Sequence, residues 1–171
     1  MATSTLIQQL GVAADGFGSS TSNRRQVETF LTTLTNGAAP AVPPVFVNIS
    51  LAAGEWVALD SGKTGSDRVL YVEQAAAVGS GNTLVVGVVA KTVTASLAGG
   101  QSIDVPVEVV VAGYAENARV TTATATDIAL VVDTTAGRAD PIVAADLAPA
   151  CGVTLEVAAA NVADVWVFKR F

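Results

Sequence analysis

The sequence contains no histidine. Without an imidazole there is no ordinary general base near neutral pH, no Ser-His-Asp or Cys-His arrangement, and none of the commonest metal ligand. Cysteine is nearly missing as well. Cys151 stands alone, which excludes an intramolecular disulfide and a cysteine-built metal site. It lies in the apolar run Ala148-Pro149-Ala150-Cys151-Gly152-Val153 and reads as a small buried hydrophobe. Aromatic residues make up only 5% of the chain and charged residues 14%. Basic runs are absent: Arg24-Arg25 and Lys169-Arg170 are the only adjacent basic pairs, and the net charge is −6. A face that grips nucleic acid needs enough Lys and Arg to displace counterions from phosphates, so neither nucleic acid nor an anionic membrane is an expected partner. The longest apolar runs, such as Leu84 to Ala90, are strand-sized and too short to span a bilayer. Met1-Ala2-Thr3-Ser4-Thr5 followed by Leu6-Ile7-Gln8-Gln9-Leu10 lacks the basic and apolar regions of a secretory signal, so synthesis in a cytoplasm is expected.

What remains is aliphatic. Hydrophobic residues reach 51%, almost all Val, Ala, Leu and Ile, and β-branched side chains pack well on a pleated surface. The 171 residues suffice for one ordinary domain with an extension. Residues 1–44 are rich in Ser, Thr, Gln, Gly and Pro and read as an N-terminal arm. Within it Val27, Phe30, Leu31 and Leu34 fall at i, i+3, i+4 and i+7, which predicts a short amphipathic helix over about 23–35. Asn23 with Gln26 resembles a capping box, and Asn36-Gly37 a C-terminal stop. A weaker helical turn is expected around Leu6, Ile7 and Leu10. Gly37 to Pro44 then reads as a Pro-rich extended linker.

From 45 to 171 the pattern is short strands and glycine turns, which predicts a mainly β module, a small barrel or sandwich. Candidate strands are 45–50, 55–60, 68–74, 84–94, 103–112, 127–133, 152–158 and 163–170. Pro106 marks its segment as an edge strand or a strand start. Turns recur in one style, at Ala53-Gly54-Glu55, Gly99-Gly100-Gln101 and Ala136-Gly137-Arg138, each placing Gly where positive φ is cheap. Two degenerate repeats are visible, about 53–113 and 118–171. Each runs strand, turn, Gly-Val strand, turn, Val-rich strand: Trp56-Val57-Ala58-Leu59, Val86-Gly87-Val88 and Val107-Glu108-Val109 in the first; Ile128-Ala129-Leu130-Val131, Cys151-Gly152-Val153 and Val165-Trp166-Val167 in the second.

The motifs that suggest chemistry fail on inspection. Ser61-Gly62-Lys63-Thr64 has the tail of a phosphate-binding loop, but Val57 stands where its first Gly belongs and no helix pattern follows. Gly79-Ser80-Gly81-Asn82 lacks the third Gly of a dinucleotide fingerprint. Asn48-Ile49-Ser50 matches a glycosylation pattern only formally. The aspartates fall mainly at turns and strand ends, where Asp bonds nearby backbone amides. No catalytic residue, cofactor or metal site is expected, and a small hydrolase acting through paired carboxylates is the weakest alternative.

The segments Ala53-Gly54-Glu55-Trp56-Val57-Ala58-Leu59, Leu84 to Ala90, Val107 to Gly113, Asp133 to Arg138 and Val165-Trp166-Val167-Phe168 together resemble small Ala/Val/Gly-rich bacteriophage capsid decoration, or head-stabilising, proteins. The match covers roughly two thirds of the chain and leaves the N-terminal region unmatched. The resemblance implies a β-barrel-like homotrimer on the outer capsid surface of the virion, clamping neighbouring major capsid protein subunits in the expanded shell. On that reading the partners are the major capsid protein and further copies of the chain. The arm residues Leu6, Ile7, Leu10, Arg24, Arg25, Val27, Phe30, Leu31 and Leu34 are the candidate contacts to the capsid or to a neighbouring subunit. A helix so short needs a surface on which to bury its stripe, and its own barrel is the competing one. The second functional expectation is a head-fibre, tail or receptor-binding β module with affinity for host-surface polysaccharide.

Overall fold

The computed structural model describes residues 25–76, 84–121, 125–132, 134–144 and 146–168. They are mainly β. Eleven strands follow in order: β1 Arg25–Thr35, β2 Phe46–Leu51, β3 Trp56–Leu59, β4 Val72–Gln74, β5 Val85–Val89, β6 Val93–Ala98, β7 Ser102–Arg119, β8 Ala129–Val131, β9 Asp140–Pro141, β10 Gly152–Thr154 and β11 Val162–Val167. The only helical element among them is a single 3-10 turn at Asp67–Val69. The main sheet has the order β4-β3-β5-β7-β11-β10-β8-β9, with β1 paired to β7 off that path, and β2 and β6 form a separate two-stranded sheet. Every pairing between these strands is antiparallel.

β7 organises the molecule because it is long enough to serve several neighbours. β1 pairs with it from Ser102 to Gly113, β5 at Val109 and Val110, and β11 from Gly113 to Arg119. Pro106, opposite Leu31, lies where β1 is the only strand paired to β7 among the described residues, so its missing N–H disrupts no second ladder. The sheet is curled into a half-barrel. At one end the Leu31 N–H donates to the Leu70 carbonyl (2.8 Å), which brings β1 back to the residues leading into β4. At the other, the Gly137 N–H donates to Ala75 (2.8 Å) and the Trp56 N–H to Gly137 (3.0 Å), so the turn before β9 returns to β3 and β4.

Alternation along the strands feeds two cores, one on each face. Trp56 and Ala58 join Val88, Val110, Ala115, Leu130, Cys151, Val165 and Val167 in the larger one. Val57, between them, points the other way into a cluster with Leu34, Val72, Val86, Val107 and Val109. The β2–β6 layer lies over this second core through Leu51 and Leu97. Cys151 is buried, as its apolar setting predicts.

The expected helix over 23–35 is corrected by the structure. From Arg25 to Thr35 the chain is a strand, zipped to β7 over its full length with one irregularity between Gln26 and Val27. Thr29, Thr32, Thr33 and Thr35 lose χ1 freedom in a helix and favour extended backbone, and the β7 ladder supplies the pairing. The true period is two: Phe30, Thr32 and Leu34 turn towards the second core, and buried, polar Thr32 hides that alternation. The expected arm is therefore divided. Residues 1–24, with the expected turn at Leu6 to Leu10, lie outside the described residues, whereas Arg25–Thr35 belongs to the main sheet.

Other boundaries shift too. The expected strand 84–94 is two strands, β5 and the start of β6, and 68–74 opens with the 3-10 turn. β7 continues seven residues past Ala112, to Arg119. The three glycine turns are as read: Gly54, Gly100 and Gly137 have φ of 82°, 77° and 68°.

Candidate interaction surfaces

Among the described residues, the candidate contact residues do not form one surface. Leu6, Ile7, Leu10 and Arg24 fall outside the described residues. Arg25 stands opposite Gly113 at the start of β1, and Val27 is 38% exposed. Leu31 is tied to Leu70, and Leu34 is a core residue, 5% exposed. Phe30 lines a cavity of about 360 Å³ with Leu59, Val69, Leu70, Val86 and Val111, and Gln26 and Glu28 on the same wall are bonded to each other (2.7 Å). The expected stripe is thus split between core, cavity wall and surface, because a strand sends neighbours to opposite faces.

A broader apolar surface lies on the C-terminal half of the sheet. Residues directly opposite in an antiparallel ladder point to the same face. Tyr114 pairs with Trp166, Trp166 with Val153, and Val153 with Ala129. The Ile142 N–H donates to the Ala129 carbonyl (2.9 Å) and extends the row into the segment after β9. Five strands' worth of chain therefore carry an outward row of Tyr, Trp, Val, Ala and Ile. Trp166 is 40% exposed, and Phe168, two residues on along the same face, is 39% exposed. A chain so poor in aromatics sends one of its two tryptophans outward. The alternation Val165-Trp166-Val167-Phe168 was readable in the sequence, but the buried face was not, since both sets are hydrophobic.

Carboxylates beside this row are held in place. The Tyr114 hydroxyl donates to Asp164 Oδ2, the Asn117 N–H donates to Asp164 Oδ1 (3.1 Å), and the Asp164 N–H donates to Glu156 Oε1 (3.0 Å). The Asp164 bond, then burial, pushes the Tyr114 phenol well above its ordinary value. A second cluster clasps the seam between β1, β7 and β4. Thr33 Oγ1 donates to Asp104 Oδ1 (2.6 Å), Tyr71 donates to Asp104 Oδ2 (2.9 Å), and Lys63 Nζ sits 4.1 Å from the Tyr71 ring centroid. The bond from Thr33, then that from Tyr71, lowers the Asp104 carboxyl, and the same Asp104 bond raises the Tyr71 phenol.

The third cluster centres on a buried carboxylate. Glu55 accepts from Arg119 Nη1 (2.7 Å), from Gln74 Nε2 (3.0 Å) and from the Ala52 N–H (2.9 Å). In each cluster the carboxylates are tied to donors from other strands or turns. These bonds cross-link strands and turns of the sheet. The phosphate-loop look-alike is a turn whose amides are already bonded: Gly62 N–H to Asp60 Oδ1 (2.8 Å) and Ser61 N–H to Glu73 Oε1 (2.9 Å). Among the described residues no group of three or more His, Cys, Asp or Glu could hold a metal ion, and no helix is long and apolar enough to cross a membrane. No protein-family model and no curated protein matches the chain.

Proposed function

We propose that this protein is a structural virion protein, a decoration protein that binds the outer surface of a phage capsid and stabilises the expanded shell by clamping neighbouring major capsid subunits. The observation that carries the reading is the outward row Tyr114–Trp166–Val153–Ala129–Ile142, a wide apolar face built from paired strands. Aromatic-centred exposed patches of this kind are where proteins dock on other proteins. The absence of histidine and the tying of the acidic clusters argue against catalysis.

The degenerate duplication belongs to this proposal. The sheet order is a palindrome about the β7/β11 boundary, β4-β3-β5-β7 against β11-β10-β8-β9. The segments brought to matching positions, β3, β5 and β7 against β8, β10 and β11, are those paired by the sequence pattern. The resemblance adds homotrimeric assembly, and residues 1–24 are the proposed tether to the capsid or to a neighbour. The tether is tested by deleting 1–24, because deleting 1–40 would also remove β1. Loss of capsid binding by a folded chain lacking 1–24 supports the tether; undiminished binding removes it.

The test of the whole reading is to mix purified protein with undecorated expanded capsids of a phage that encodes it and to image the particles. Density at threefold positions is expected. Density at a vertex or on the tail would instead favour a head-fibre, tail or receptor-binding module. One observation favours that second reading: exposed Trp166 beside Tyr114 and Asp164 combines an aromatic ring with carboxylate acceptors, the chemistry that holds sugar rings. It requires measurable polysaccharide binding that Trp166→Ala abolishes.

A further inference from the structure

A net charge of −6 opposes the approach of a second copy. One layer escapes that repulsion. No charged residue occurs between Glu28 and Glu55, nor between Lys91 and Asp104. Those two stretches contain β2 and β6, the whole of the second sheet. The layer is also apolar where it meets solvent: Val45 is 62% exposed, Phe46 61% and Val47 45%.

Among the described residues the outer edge of β2 is undefended. Among the described residues β2 pairs with β6 alone, in an unbroken register from Phe46 opposite Ala98 to Leu51 opposite Val93. Soluble proteins blunt such edges with lysine, an inward charge, a bulge or a proline within the strand. Here there is no charge and no bulge, and Pro43 and Pro44 come before the strand. The layer is held firmly. Asn36 Nδ2 donates to the Leu97 carbonyl (2.9 Å) and the Asn36 N–H to Gln101 (2.9 Å). The backbone of Ala38 and Ala39 crosses so close to Gly99 that a Cβ there would lie 2.4 Å from the Ala39 oxygen. A surface fixed in this way loses little entropy when it binds.

From these observations we infer that the β2–β6 layer is the surface through which copies of this chain bind one another, by way of Val45, Phe46, Val47 and the free edge of β2. The inference rests on the proposed self-association and names the face responsible. The Trp166 row is the less favourable face for another copy, because Asp164, Glu156 and Glu116 beside it present negative charge to a chain that is itself acidic.

The test is sedimentation velocity of the full chain over a range of concentrations, with Val45→Lys, Phe46→Lys and, as control, Trp166→Lys, each checked for native circular dichroism. Wild type should associate with rising concentration. Val45→Lys and Phe46→Lys should each raise the dissociation constant about tenfold or more, and Trp166→Lys should leave it unchanged. Hydrogen exchange of the Phe46–Leu51 amides should slow as concentration rises. A wild type that stays monomeric, an oligomer indifferent to both lysines, or one broken only by Trp166→Lys would overturn the inference. A monomer that still decorates expanded capsids would overturn it and leave the proposed function standing. An oligomer that these lysines break, from a chain that decorates nothing, would do the reverse.

Discussion

Two of the glycine turns share one device. In Ala52-Ala53-Gly54-Glu55 the Glu55 N–H donates to the Ala52 carbonyl, and the Glu55 side chain accepts from the Ala52 N–H. Ala98-Gly99-Gly100-Gln101 repeats both bonds, with Gln101 Oε1 accepting from the Ala98 N–H (2.9 Å). The third turn keeps only the backbone bond, from Arg138 to Thr135, since Arg has no acceptor. Gln101→Ala should cost about 1 kcal/mol in urea unfolding, the net worth of one such bond. Arg119→Ala should cost more, roughly 2–3 kcal/mol, because it leaves the buried Glu55 carboxylate with neutral donors only; that lies below the usual cost of breaking a buried pair, since Arg119 is partly exposed. The chain has two tyrosines, and both donate to aspartates. In the folded protein both phenols should therefore ionise above pH 10.0, seen as delayed tyrosinate absorbance. Their contribution to stability is present below that pH and is lost as pH rises through the raised folded values. Asp104 behaves oppositely. Its lowered value supplies stability above its ordinary 3.8 that disappears as pH falls through the folded value, so Asp104→Asn should lose its disadvantage to wild type in strong acid.

At the scale of the element, β1 separates what a helix and a strand would do with the same four apolar residues. On a helix, Val27, Phe30, Leu31 and Leu34 would bury together. On the strand, Leu34 is in the core and Val27 is at the surface. Leu34→Ala should cost about 2–4 kcal/mol and Val27→Ala no more than about 0.5 kcal/mol, measured by chemical denaturation. Equal costs would count against the strand. Deleting 1–40 should unfold the protein by removing one side of the β7 ladder. The strands from β7 onward were legible wherever valines alternate with polar residues. β6, with Ser and Thr between small apolar residues, and β9, only two residues long, carry too little pattern to read.

At the scale of the whole molecule, the two cores are not independent, because β3, β5 and β7 supply side chains to both. Denaturation should therefore be a single transition in which circular dichroism and tryptophan fluorescence coincide. The two tryptophans give separate readouts. With Trp166→Phe, the remaining Trp56, fully buried and donating from Nε1 to the Arg119 carbonyl (3.0 Å), should emit at short wavelength and resist quenching by acrylamide. Gly152→Ala should destabilise both parts of that arrangement, since its Cβ would lie 3.0 Å from Trp56 Cη2 and 2.8 Å from the Trp166 oxygen.

The sequence by itself determined the β class, the positive-φ glycine turns, the burial of Cys151 and the poverty of catalytic side chains. Each of these depends on residue type and near neighbours: valine's stiffness, glycine's freedom, the lack of an imidazole. Only the tertiary structure decided that Arg25–Thr35 is a strand, that Trp166 faces outward, and that Asp104 and Asp164 are each held by a tyrosine from another part of the chain. Those outcomes depend on partners far apart in sequence. Thr33 meets Asp104 and Tyr114 meets Asp164 through the ladders of β7, and where side chains on both faces are hydrophobic, only those ladders choose which face is buried.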